Sequence, residues 1–206
     1  MVIVFDLDDT LYDEIDFVKS GFREISRYLG NNSYYDFMLD DFLKNGSGTI
    51  FNNLIKQFKL NIPLQKLIEI YRFHRPEISL PKESIDLLDF AMNYQTALIT
   101  DGHYIMQKNK YNVLELNLKY PVFTDFYKTK KPEIKPFKMV MQYFKNEKKF
   151  VYISDNPVKD FIAPHKLNWE TIRYRNPVGI YKNYPSDATF DVDDRNKILE
   201  ILKDML

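Results

Sequence analysis

The chain contains no cysteine, which excludes disulfides, thiolate metal sites and cysteine nucleophiles and fits a reducing compartment. It carries no net charge: 29 Lys and Arg balance 29 Asp and Glu, so no global field draws nucleic acid or an anionic membrane, and selectivity must be local. No stretch approaches the roughly 18 consecutive apolar residues of a membrane-spanning helix. No basic segment followed by a long apolar run opens the sequence, and neither internal repeats nor low-complexity tracts occur. The expectation is a soluble, unexported, cytoplasmic protein without nucleic-acid or membrane partners; the sequence carries no signal for oligomeric state. With 206 residues, 45% of them hydrophobic, it suits one domain, or one domain with an insertion. The aromatic fraction of 16% reads as core packing and half-exposed rings.

What is present starts with Ile3-Val4-Phe5, an apolar run too short for a helix and read as a buried strand. It stops at Asp6 and Asp8, which a period of two places on one side of the chain at the strand's carboxyl end, where open α/β sheets hold ligands. Taken alone, Asp6, Asp8 and Asp9 read equally well as turn formers. Steps of three and four then predict helices over Ile15–Leu29, from Ser33 to Leu43, through Ile50–Ile55, and from Leu64 to Tyr71. Pro76 and Pro81 mark a hinge. Beyond it strands alternate with helices: helix Ser84–Met92, strand Thr96–Ile99, helix Ile105–Leu116, strand Val122–Phe123, helix Ile134–Phe144, strand Phe150–Ile153, helix Val158–Leu167, strand Thr171–Tyr174 and a closing helix Asp194–Leu206. Such alternation predicts a parallel sheet with right-handed crossovers.

In such a sheet the strand ends at Asp6 and Asp8, at Thr100-Asp101-Gly102 and at Asp155 share one edge, and the loop containing Lys131 joins them. Each pair of the crowded carboxylates Asp6, Asp8 and Asp155 repels by about 4 kcal/mol at 4 Å and an effective dielectric of 20, so something positive must sit among them. Oxygen ligands without His or Cys favour a hard cation, and Mg²⁺ uses few carboxylates, keeps waters and contacts a substrate phosphate. Lys131 supplies a point charge for that phosphate, while Thr100 and backbone N–H groups supply hydrogen bonds.

Four segments carry a family resemblance. Asp6-Leu7-Asp8-Asp9-Thr10, Leu98-Ile99-Thr100-Asp101-Gly102, Lys131-Pro132-Glu133, and Tyr152-Ile153-Ser154-Asp155 through Asp160 resemble, in order, the four motifs of the haloacid dehalogenase superfamily. The fourth usually reads Gly-Asp; here Ser154 stands in place of the glycine. The resemblance implies a Rossmann-like doubly wound parallel sheet core, residues 1–13 and 76–206, with a helical cap, residues 14–75, inserted after the first strand. It also implies roles. Asp6 is the nucleophile that forms an aspartyl-phosphate, and Asp8 protonates the leaving oxygen and then activates water. Asp6, the Asp8 carbonyl and Asp155 hold Mg²⁺, with Asp160 behind them, and Thr100, Asp101 and Lys131 form the phosphate site. For Asp101 and Asp9, loop structure competes with chemistry. Relatives that displace halide need no acid, whereas Asp8 supplies the one that phosphate esters require. The implied activity is Mg²⁺-dependent hydrolysis of a small phosphomonoester, a nucleoside monophosphate or sugar phosphate. A sugar-phosphate phosphomutase and a non-catalytic phosphometabolite-binding protein are the alternatives. Tyr12, His74, Arg75 and His103 are candidates for substrate recognition, each with a packing, hinge-anchoring or helix-capping alternative. Arg173 and Arg175 read as surface pairs, with a place near the active edge as the alternative, Lys128 and Lys130 as solvated, and the aromatic stripe Phe17, Phe22, Phe37 and Phe51 as core.

Overall fold

The computed structural model describes residues 1–205, which divide into two compact units: Met1–Glu14 with the chain from Ser79 onward, and Ile15–Ile78. The second is helical, built from α1 (Glu14–Leu29), α2 (Ser33–Asn45), α3 (Ile50–Phe58) and α4 (Leu64–Phe73). The three-and-four spacing of α1 buries Val18, Phe22 and Ile25 against Met38, Leu54 and Leu67. Phe22 meets Phe42 and Phe51 edge to face, so the aromatic stripe is core, as its spacing indicates. Gly21 lies under the Tyr71 ring, where an added Cβ would come within 2.4 Å of Tyr71 Cδ2, so that helix contact requires glycine.

The first unit is a six-stranded parallel sheet. Its strands are β1 (Val2–Phe5), β2 (Gln95–Thr100), β3 (Tyr120–Phe123), β4 (Phe150–Ser154), β5 (Glu170–Tyr174) and β6 (Phe190–Val192). All four β1 residues are fully buried, as a central strand covered on both faces requires. The order β3-β2-β1-β4-β5-β6 is that of doubly wound nucleotide-binding sheets, and it reverses direction between β1 and β4. Asp6 and Asp155 follow these two strands directly. Helices α5 (Lys82–Ala91), α6 (Tyr104–Val113), α7 (Lys135–Tyr143), α8 (Ile162–Lys166) and α9 (Arg195–Asp204) connect and close the sheet. Asp194 caps α9 by accepting from Asn196 N at 2.8 Å; the last residue of the expected closing helix, Leu206, lies outside the described residues.

The helix expected over Val158–Leu167 shrinks to α8, because Asn156 accepts from Val158 N and holds residues 157–161 in turns. The helix expected to reach Leu116 ends at Val113, where Glu115 turns left-handed at φ 52°. Strand β6 has no counterpart in the expectations: it is three residues long and mostly exposed, and the alternation of Phe-Asp-Val is too short to mark a strand.

Phe137 of α7 is fully buried, edge to face with Tyr152 (centroids 5.2 Å apart) and with Trp169 (5.6 Å). Phe137→Ala should therefore lower stability by about 3–5 kcal/mol in urea denaturation, and a loss under about 1 kcal/mol would show that this layer collapses into the space.

Candidate active site

The apolar run of β1 ends because Asp6 must leave the core, and the chain turns at Asp9, whose φ of 54° is one aspartate tolerates. Asp9 Oδ1 accepts from Glu14 N (2.9 Å) and Asn176 Nδ2 (3.0 Å), which makes it a loop-building carboxylate. Asp6, Asp8, Thr100, Asp101, Lys131, Asp155 and Asp160 line a single cleft of about 180 Å³ at the carboxyl edge of the sheet.

Lys131 Nζ is the hub. It lies 2.9 Å from Asp6 Oδ1 and 2.8 Å from Asp160 Oδ2 and donates to Tyr152 Oη at 3.1 Å. Burial opposes its charge, but Asp160 and Asp6 outweigh that and hold its pKa well above the usual lysine range. The Ser154 hydroxyl, standing where the family pattern has glycine, donates its one proton to Asp160 Oδ2 and lies 3.3 Å from Asp6 Oδ2. Burial pushes the Asp6 carboxyl up to about 7, with Lys131 pulling it down and Asp160 and Asp8 adding repulsion.

Asp155 is pushed up to about 9 by burial and then by Asp6, Asp9 and Asp160. Carboxylate oxygens of Asp6, Asp155 and Asp160 lie within 4.8 Å of one another, and Asp160 Oδ1 is buried without a hydrogen-bond partner. An all-oxygen donor set in which carboxylates repel one another fits a hard divalent cation.

Asp8 differs from Asp6 and Asp155. Burial would raise its pKa, but Lys110, with Tyr12 and Gln107, holds it below the usual carboxylate range. Tyr12 Oη (2.5 Å) and Lys110 Nζ (2.8 Å) donate to Oδ1, and Gln107 Nε2 donates to Oδ2 (2.7 Å). Tyr12 is thus a fully buried partner of Asp8. Neither Lys110 nor Gln107 figures among the expected site residues; the available signal was two polar residues one turn apart on the helix that follows Thr100.

Thr100 Oγ1 accepts from Gln107 Nε2 at 2.6 Å. The Asp101 side chain serves the loops: Oδ1 accepts from Thr124 Oγ1 (2.8 Å) and Lys131 N (3.1 Å), and Oδ2 pairs with Lys159 Nζ (2.5 Å). His103 stands at the amino end of α6, makes no side-chain cap and is not among the residues that line the cleft. His74 and Arg75 belong to the helical unit. His74 Nδ1 donates to Tyr71 O (2.7 Å), Nε2 meets Ser20 Oγ (3.0 Å), and Arg75 shares a surface cleft with Glu24 and Arg27. Glu14 lines the active cleft, its carboxyl pushed up to about 7 by burial and by Asp8.

Arg173 corrects the expectation of a surface pair. It is fully buried and donates to Tyr181 O (2.6 Å), Tyr184 O (2.7 Å) and Asp155 O (3.3 Å), pinning a segment whose Ile180 and Tyr181 line the cleft. Nothing in the local sequence marks that segment, because the arginine grips backbone carbonyls. Arg175 does pair at the surface, with Asp191 at 2.5 Å, and Lys128 and Lys130 are exposed.

A family model described as haloacid dehalogenase-like hydrolase matches residues 3–174. A glyceraldehyde 3-phosphate phosphatase of Methanocaldococcus jannaschii is 27% identical, aligned over 98% of this chain and 97% of that protein. A glyceraldehyde 3-phosphate phosphatase of Pyrococcus furiosus is 24% identical over 98% and 92%. Among solved structures, a Bacillus subtilis protein described as a HAD-hydrolase and bound to magnesium superposes with a TM-score of 0.76 at 16% identity, covering 98% of this chain and 97% of its own. At that identity the likeness establishes the fold. Among the described residues no helix is long and apolar enough to cross a membrane.

Proposed function

The chain belongs to the haloacid dehalogenase-like hydrolase family, and from that premise we propose that it is a Mg²⁺-dependent phosphatase acting on a small sugar phosphate through an aspartyl-phosphate on Asp6. The observation that carries this reading is the pairing of Asp6 with a second, separately held carboxylate, Asp8, in a cleft that also contains Lys131. A displaced halide needs no proton, whereas an alkoxide leaving a phosphorus does. The phosphatase relatives, aligned over nearly the whole chain, support the same reaction, and their substrate makes a triose phosphate the first compound to test.

Asp6 attacks phosphorus, the Asp6–phosphorus bond forms as the ester P–O bond breaks, and Asp8 passes its proton to the departing oxygen. A dianionic phosphate beside Asp8 raises the cost of a second negative charge there, which loads that carboxyl with the proton it needs. Asp8 then takes a proton from the water that attacks the acyl-phosphate, releasing inorganic phosphate and restoring Asp6. Lys131 and the Thr100 hydroxyl face the phosphoryl oxygens. Asp6, the Asp8 carbonyl and Asp155 would hold Mg²⁺, which when bound supplies charge neutralisation to the phosphoryl group. The helical unit would act as a cap that reads the leaving group and excludes water.

The test is phosphate release from glyceraldehyde 3-phosphate, other sugar phosphates and nucleoside monophosphates, with Mg²⁺ and with chelator. Metal-dependent turnover of one compound far above the rest supports the reading; an isomerised sugar phosphate in place of free phosphate would mean a mutase, and inertness of folded protein would end the enzymatic assignment. Asp155→Asn should weaken apparent Mg²⁺ affinity by at least about tenfold, measured both by activation and by the Mg²⁺-induced shift in thermal unfolding. Unchanged values in both would remove Asp155 from the ligand set.

A further inference from the structure

Helix α6 buries polar side chains where a core helix would ordinarily bury apolar ones. Gln107 and Lys110, one turn apart, are 1% and 0% exposed, and both reach Asp8. They take different oxygens of the carboxylate: Lys110 Nζ donates to Oδ1 at 2.8 Å and Gln107 Nε2 to Oδ2 at 2.7 Å. The same Gln107 amide, which has two hydrogens, also donates to Thr100 Oγ1 at 2.6 Å. A carboxylate gripped at both oxygens cannot rotate about its Cβ–Cγ bond without losing a charge-assisted hydrogen bond. Taking a lysine wholly out of water is costly unless a partner repays it, and here that partner is the Asp8 carboxylate, with which Lys131 forms no ion pair.

We propose that Lys110 and Gln107 are positioning residues that fix the plane of the Asp8 carboxyl for proton transfer to the leaving oxygen, and that Gln107 ties this orientation to the phosphate-binding Thr100. The inference rests on the phosphatase reading. It predicts a selective defect. In phosphoryl transfer to Asp6, the half of the reaction that kcat/KM reports, a loosely held Asp8 penalises esters whose alkoxide must be protonated as the P–O bond breaks and spares esters whose leaving group departs unprotonated; the later hydrolysis of the aspartyl-phosphate is common to both. Residues that only support the fold would slow both kinds of ester alike.

The experiment compares kcat/KM on glyceraldehyde 3-phosphate and on p-nitrophenyl phosphate, with Mg²⁺, for wild type, Lys110→Met and Gln107→Leu. In each folded variant the alkyl-to-aryl ratio of kcat/KM should fall at least about tenfold. A ratio within twofold of wild type, whether both rates drop together or neither does, overturns the inference. Lys110→Met leaves Asp8 without its buried counter-charge; should it fail to fold, Gln107→Leu, which keeps the ion pair, decides alone, and failure of both to fold makes the pair structural and overturns the inference. Wild type inert toward both esters overturns the phosphatase reading and this one with it, whereas active wild type with unchanged variant ratios overturns this one only.

Discussion

Asparagine in place of Asp6 is expected to cut phosphate release by at least about 10⁴-fold while leaving the protein folded. An amide has nearly the shape of the carboxyl but cannot attack phosphorus, so the covalent route closes and only binding and polarisation remain. The fold should tolerate the change because Asp6 is already a poor place for a charge: burial pushes its pKa up to about 7, and Asp160 and Asp8 repel it. Lys131 keeps Asp160 as its partner at 2.8 Å when the Asp6 charge is removed. Thermal unfolding should therefore shift by no more than a few degrees, a stability change of about 1 kcal/mol. Acid-quenched turnover of the wild type should trap phosphate on the peptide containing Asp6, and the variant should trap none. Activity above a few per cent of wild type in a preparation free of the native enzyme would assign the attack to another group.

The parts of this site that sequence made legible are those whose chemistry demands a residue type at a strand end. Asp6, Thr100, Lys131 and Asp155 sit where apolar runs of β1, β2 and β4, or the loop between, give way to polar side chains, and a parallel sheet brings those ends together whatever the intervening loops do. The support around Asp8 was hidden for the opposite reason. Gln107 and Lys110 are helix residues whose polarity reads as solvent exposure until the tertiary fold turns that face inward. Arg173 was misread for a related reason: an arginine at the end of an edge-proximal strand usually points to water, but here loop carbonyls of Tyr181 and Tyr184 cover it. Strand β6 and the short α8 show the limits of periodicity, since three residues and five residues carry too little pattern to separate strand, helix and turn. Ser154 shows a gain that a motif comparison alone would score as a departure: its hydroxyl gives Asp160, beside Asp6, a donor that a glycine cannot supply.

Lys131→Met should be the most damaging single change for activity and stability together. Lys131 is 4% exposed and its ammonium stands between Asp6 and Asp160, so its loss leaves two buried carboxylates facing each other without counter-charge. Removing one partner of a buried pair typically costs about 3–5 kcal/mol, and that loss should appear in urea denaturation without divalent cations. Phosphate release should fall by at least about 10³-fold, because the transferring phosphoryl group loses its fixed positive charge. Arginine should not rescue either property, since a planar guanidinium needs room beside Tyr152 that the 3.1 Å contact of Lys131 Nζ leaves unfilled only for a compact ammonium. The same logic sets the response to metal. With one positive charge gone, Asp6, Asp155 and Asp160 attract a divalent cation more strongly, so Mg²⁺ should stabilise Lys131→Met by more than it stabilises wild type, as binding to the folded state alone requires. Denaturation midpoints with and without Mg²⁺ measure that difference directly. An interval no wider than that of wild type would mean that Lys131 and the cation do not share these carboxylates, and the placement of the metal at Asp6 and Asp155 would have to be abandoned.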